Sequence, residues 1–257
     1  WKILAISVLS LHRILQCTTH SLYSTGDSNL QRNRRSRPAL MTQNSIPTEP
    51  RPSLGEEIAN SVSHGLGLLA ALIAGPLLVA RAVAHDKPWG VVSASIYAAS
   101  IVVMYLASTV YHALPPGRGK RVFRTMEHCA IFLLIAGTYT PVTIVALRGA
   151  WGWSLLTLVW LLSSIGILLK SVVSTSHRWL PAVLYLALAW LIVVAIGPLS
   201  TRIPLAGMMW LLAGGIAYTV GVAFFAAKSV PYCHFIWHLF VLAGTTCHFI
   251  AIWGYVV

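Results

Sequence analysis

HFIWHLFVLAGTTCHFIAIWGYVV, residues 234–257, contains no Asp, Glu, Lys or Arg. A hydrocarbon core takes about 20 apolar residues as helix, so this run is long enough to cross one. It opens on His234 and His238, four positions apart and therefore on one face of the helix. Working back along the chain, six more apolar stretches have spanning length: Ile58–Ala84, Trp89–Leu114, His128–Leu147, Trp151–Ser171, Trp179–Leu199 and Pro204–Ala227.

Composition agrees, since 57% hydrophobic and 9% charged residues, with a mean hydropathy of +0.74, do not describe a water-soluble domain. Lipid leaves backbone polar groups no water to bond, and the alternating ten-residue pattern of a membrane barrel is absent, so the spans are read as helices. The expected fold is an all-α membrane protein, a seven-transmembrane helix bundle over residues 54–257. The net charge of +12 would suggest nucleic acid in a soluble protein. Here most cations fall between apolar runs, where they read as topology signals and headgroup contacts, so membrane lipids are the expected partners and nucleic acid is not. Cys17, Cys129, Cys233 and Cys247 form no CxxC pair, which indicates neither a disulfide framework nor a zinc ribbon.

Residues 1–53 differ: Arg32, Arg34, Arg35, Arg37 and Arg51 lie among Ser, Asn, Thr, Gln and Pro without apolar periodicity, the signature of a disordered basic segment. The opening WKILAISVLSLHRIL lacks a small-x-small cleavage site, which argues against a secretion signal. Met41 leads directly into the first span, and translation is expected to start there, leaving residues 1–40 as upstream reading frame. Loop charge sets the orientation. With the N-terminus in the cytoplasm, Arg118, Lys120, Arg121, Arg124, Lys170, Arg178 and Lys228 lie inside, against Arg81, Lys87, Arg148 and Arg202 outside. The C-terminus is then outside, in a multi-pass protein of the plasma membrane.

That parity brings chemistry together. The second span ends at STVYH, with Ser108 and His112 four apart; the third begins at Glu127, and the seventh at His234, all in one leaflet. Imidazoles so spaced suit zinc, which in catalytic sites takes three protein ligands and a water. Glu127 is the only acidic residue after Asp86, and a carboxylate beside a metal can orient and deprotonate that water. Plainer readings stand beside this one. A carboxylate at a helix N-terminus and a histidine at a C-terminus both complement the macrodipole. An HxxxH pair can be satisfied by a neighbouring helix, and a membrane serine often bonds its own i−4 carbonyl.

Other polar residues carry less weight. His248 lies roughly 15 Å along the helix from His238, too far to share its coordination sphere, and is read as structural or lining. His64 begins the first span on the same side, either as a group supporting the site or as one solvated at the interface. His128 points about 100° away from Glu127 around the helix, so only one of the two faces the site, and Glu127 is chosen. Cys129 and Cys233 have the wrong angular offset. Ala213, Ala217 and Gly221 permit close helix approach, Pro141 frees the Gly137 carbonyl and kinks the third span, and Trp89, Trp151, Trp153 and Trp179 mark interfaces.

The motifs EEIANSVSHG, ASTVYH, EHCAIFLLIAGTYTP and PYCHFIWHLFVLAGTTCHF, in order over about residues 54–257, resemble those of the bacterial hemolysin III proteins, which belong with the progestin and adipoQ receptors, adiponectin receptors included. The resemblance implies seven helices, a cytoplasmic N-terminus, a bacterial inner-membrane location, zinc held by His112, His234 and His238, and a site role for Ser108. The acid of the third helix is usually aspartate in that family, and Glu127 has a longer arm. The expectations for function are three. One is a zinc-dependent hydrolase of lipid amides or esters, with Glu127 accepting a proton and Ser108 holding a developing oxyanion; a ceramidase-like activity is implied by the adiponectin receptors. The second is the pore-forming activity that the hemolysin name asserts, though seven obligate spans suit a secreted cytolysin poorly. The third is a sensor or transporter in which zinc only ties helices together.

Overall fold

The computed structural model describes residues 52–85, 88–172, 180–226 and 230–257. The expectations for the first fifty-one residues, Met41 and Arg51 included, and for Lys87, Arg178, Trp179 and Lys228 lie outside the described residues. Seven helices long and apolar enough to cross a membrane make up the described chain. Their regular α-helical parts are α1 (Leu54–Ala84), α2 (Pro88–Ala113), α3 (Arg118–Pro141), α4 (Gly149–Val172), α5 (Leu180–Trp190), α6 (Leu205–Ala226) and α7 (Cys233–Tyr255). A π-helical segment, Val142–Leu147, prolongs α3; a 3₁₀ segment, Leu191–Ala195, and a last helical turn, Ile196–Ser200, prolong α5. The chain is a multi-pass, all-α membrane protein.

Packing follows chain order at first, α1 on α2, α2 on α3 and α3 on α4, and closes with α7 against both α6 and α1. Leu66, Leu69, Ile73 and Leu77 of α1 and Leu161 and Leu168 of α4 point outward. Lipid is their solvent, so helices in such a bundle associate through close packing and polar contacts rather than by hiding apolar surface. The interior accordingly combines small residues with polar ones: Ala94, Ala136, Asn60, Ser93, Ser100 and Thr143 are all buried.

The starts of α1 and α7 are tied to each other. Ser53 and Glu56 form a reciprocal capping box at the head of α1. The other carboxylate oxygen of Glu56 accepts the Tyr232 backbone N–H at 2.7 Å. Tyr232 is the left-handed residue (φ 60) from which α7 departs, so α1 and α7 begin side by side.

Three expectations change in the structure. The third helix begins at Arg118 rather than His128, so Glu127 lies more than two turns inside it and gains nothing from the helix N-terminus. At Pro141, where a kink is expected, the regular α-helix gives way to the π-helical segment. The missing proline N–H is followed by wider winding, which closes with the Arg148 N–H on the Thr143 carbonyl five residues back, while the Thr143 hydroxyl donates to the Tyr139 and Thr140 carbonyls. Close approach of α6 to α7 runs through Gly207, Gly214 and Gly221, seven apart, against Tyr255, His248 and Trp237. Ala213 and Ala217 of the expected stripe are only partly buried.

On α4, Gly152 has no room for a side chain, because a Cβ there would meet the Thr143 carbonyl oxygen, which is backbone. Gly152→Ala is expected to cost about 1–3 kcal/mol through overpacking. Gly197→Ala, where a Cβ has open space, is expected to cost nothing. Thermal unfolding of the two variants in detergent measures the difference.

Candidate metal centre

Helices α2, α3 and α7 bring His112, Glu127, His234 and His238 together, with one donor atom from each within 4.8 Å of all the others. His238 Nε2 faces His234 Nε2 at 3.1 Å, and His112 Nε2 lies 3.5 Å from Glu127 Oε1. All except His234 are buried.

Hydrogen-bond direction decides which nitrogens can serve as ligands. His112 Nδ1 stands 2.7 Å from Glu57 Oε2, a group that only accepts, so Nδ1 carries the hydrogen and, in the neutral ring, Nε2 keeps its lone pair. His238 Nδ1 reaches the Asn60 carbonyl at 3.2 Å and Ser63 Oγ at 3.3 Å, which again places the hydrogen on Nδ1 and the lone pair on Nε2. Ser63 gives its own hydrogen to the Asn60 carbonyl at 2.9 Å, leaving its oxygen free to accept.

A third chain runs to the carboxylate. Ser108 Oγ donates to Glu127 Oε1 at 2.6 Å, and His64 Nδ1 donates to Ser108 Oγ at 2.7 Å. The His64 ring also lies flat on that of His238, centroids 3.7 Å apart and planes within 5°.

The residues fit a metal. His112 Nε2 is buried without any hydrogen-bond partner, an acceptor that a cation would satisfy. Two nitrogens about 2.0–2.1 Å from one tetrahedral ion stand about 3.3 Å apart, close to the separation of His234 and His238. Glu127 is 6% exposed, and an ionised carboxylate so deep in a membrane helix is costly unless a cation compensates it. Imidazole nitrogens with a carboxylate oxygen are a donor set that suits zinc and its divalent neighbours.

The expected ligands thus stand together, whereas other expectations need correction or find another place. His64 is not solvated at an interface: it is 2% exposed and bonded to Ser108. Ser108 does not bond its own helix but reaches across to α3, and its one hydrogen is committed to Glu127. His128 turns away and bonds the Arg124 carbonyl, and His248 bonds the Leu211 carbonyl outside the donor group. Cys129 faces Ile167 and Ser171 on α4. Glu57, Asn60 and Ser63 were not foreseen. Their spacing with His64, at i, i+3, i+6 and i+7, is a polar helical face within an apolar span, and that was the signal available.

An apolar cavity of about 200 Å³ opens beside this cluster. Glu127, His64 and His234 form its polar end, and Ile135, Trp190, Val193 and Leu211 are among the residues that continue it between α3, α5, α6 and α7.

Residues 53–249 match the family described as Haemolysin-III related. The chain belongs to the haemolysin III family. It is 40% identical over 204 residues to Hemolysin-3 of Bacillus cereus, covering 79% of this chain and 92% of that one. It is 37% identical over 205 residues to the Hemolysin-3 homolog of Bacillus subtilis (strain 168), 80% of this chain and 96% of the other. The human monocyte to macrophage differentiation factor is 26% identical over 213 residues, 80% and 86% of the two chains, and links this haemolysin III chain to the progestin and adipoQ receptor group.

Ser108→Ala is expected to strand two groups, Glu127 as acceptor and His64 as donor, and to cost about 1–3 kcal/mol. Ser95→Ala, at an exposed serine bonding only the Val91 carbonyl of its own helix, is expected to stay within about 0.5 kcal/mol. Unfolding midpoints of the two variants give the comparison.

Proposed function

We propose that this haemolysin III protein is a zinc-dependent hydrolase of lipid amides or esters, with zinc held by His112, His234 and His238 near the cytoplasmic leaflet. The supporting observation is the junction of two unlike environments: a buried His/Glu donor cluster forms one end of an apolar cavity. A polar reaction centre at the end of an apolar cavity suits a substrate with a carbonyl group and an acyl chain.

When bound, zinc supplies a Lewis acid that acidifies water and polarises a carbonyl. Glu127 is the general base in this reading. Ser108 holds one carboxylate oxygen at 2.6 Å and thereby keeps the group aimed among the three imidazoles. Because the Ser108 hydrogen already serves Glu127, that serine positions the base and does not donate to an oxyanion. His64 acts one step further out, giving Ser108 the acceptor role that turns its hydroxyl toward Glu127. The cavity walls exclude bulk water and receive the chain. The cations Arg118, Arg121 and Arg124 in the first turns of α3, on the same side as the site, favour a cytoplasmic N-terminus and an external C-terminus.

One observation favours a second reading. Glu127 lies within the same 4.8 Å donor group as the histidines, so a closed set of three imidazoles and one carboxylate is within reach. Such a site, without an exchangeable position, would tie α2, α3 and α7 together in a sensor or transporter.

Elemental analysis of the detergent-purified protein is expected to find about one zinc per chain. His112→Ala, His234→Ala and His238→Ala are each expected to lose stoichiometric metal, and Glu127→Gln to retain it while losing hydrolysis of acyl lipids presented in mixed micelles. Wild-type metal content in all three histidine variants would defeat the site. Loss of metal in Glu127→Gln would favour the closed, non-catalytic reading.

A further inference from the structure

We propose that Glu57 is the positioning residue that makes His112 a metal ligand, by selecting its tautomer; this rests on the reading of the histidine cluster as a zinc site. A neutral imidazole carries one hydrogen and binds metal through the other nitrogen. Glu57 Oε2, 2.7 Å from Nδ1, holds the hydrogen there and leaves the Nε2 lone pair facing the cluster. The side-chain amide of Asn60 stands 3.5 Å from the same nitrogen, too far to compete with the carboxylate.

The carboxylate is itself fixed from the other side. Lys120 Nζ donates to Glu57 Oε1 at 2.9 Å, and its remaining hydrogens go to the Tyr111 and Leu114 carbonyls at 3.1 and 3.0 Å, at the end of α2. Three helices are joined through one side chain: Glu57 from α1, His112 from α2 and Lys120 from α3. Each oxygen of Glu57 has one donor, and of the two donors only the Lys120 ammonium is unable to accept.

An amide in this place cannot serve both. Its single oxygen would turn to Lys120, which always donates, and its NH₂ would then face His112 Nδ1. That arrangement draws the His112 hydrogen to Nε2 and closes the lone pair to metal. Glu57→Gln keeps the size of the side chain and its helix propensity, so the substitution isolates hydrogen-bond direction from packing. Removing the competing donor as well, in Glu57→Gln/Lys120→Met, frees the amide oxygen to turn back to His112.

The test is the zinc dissociation constant of the full chain in detergent, by competition with a chelator of known affinity, for wild type, His112→Ala, Glu57→Gln and Glu57→Gln/Lys120→Met. Melting curves of the metal-free proteins accompany it. Glu57→Gln is expected to weaken zinc binding about 10–100-fold, the usual effect of losing such an outer partner, with its metal-free melting temperature close to wild type. The double variant is expected to recover part of that loss although it has lost a further contact, an order that a purely structural role of Glu57 cannot produce. Wild-type affinity in Glu57→Gln beside a weakened His112→Ala would overturn the role of Glu57 alone. Wild-type affinity in His112→Ala would overturn the metal reading itself. A double variant no tighter than the single one would overturn tautomer selection. Independently of any variant, ¹⁵N-histidine NMR of the metal-free wild type is expected to show the His112 hydrogen on Nδ1, and a hydrogen on Nε2 would refute the proposal.

Discussion

The interaction on which the rest depends is the placement of a carboxylate and three imidazoles inside a membrane bundle. Polar groups removed from water must be paired, and in lipid no solvent is at hand to do it. The pairing here comes largely from one element, α1, whose Glu57, Asn60, Ser63 and His64 reach His112, His238 and, through Ser108, Glu127. These contacts fix ring orientation and hydrogen position together, which a set of ligands by itself could not do.

The fold serves this arrangement in two ways. The Glu56 carboxylate holds the start of α7 beside the head of α1, so the HxxxH pair enters the bundle where the polar face of α1 begins. Early winding of α3, from Arg118, carries Glu127 past the loop to the depth of the clustered histidines on α2 and α7. Glycines at the α6–α7 contact let α7 pack closely along the rest of its length. The apolar cavity is walled mainly by α3, α5, α6 and α7, so the hydrogen bonds that α1 supplies and the open space do not compete for the same volume.

Much of the site could be read in the sequence because it rests on periodicity. STVYH and HFIWH put each pair on one helix face, and parity of the crossings put the helix ends in one layer. What escaped had a different cause. EEIANSVSHG looks like a helix start with ordinary interfacial polar residues, and nothing local separates a capping glutamate, Glu56, from a neighbour one position on that reaches His112. The depth of Glu127 was misread because arginine and lysine lower the apparent hydropathy of the first turns of α3 without breaking the helix.

By itself the sequence determined the class of protein, the seven spans and the residue types able to bind metal, since length, hydropathy and helical period are local properties of the chain. Only the tertiary structure decided which nitrogen of each histidine faces inward, that the hydrogen of Ser108 belongs to Glu127, and that His64 is buried against His238. Those are relations between helices far apart in sequence, set by rotation and depth in the bundle, and helical periodicity leaves both undetermined.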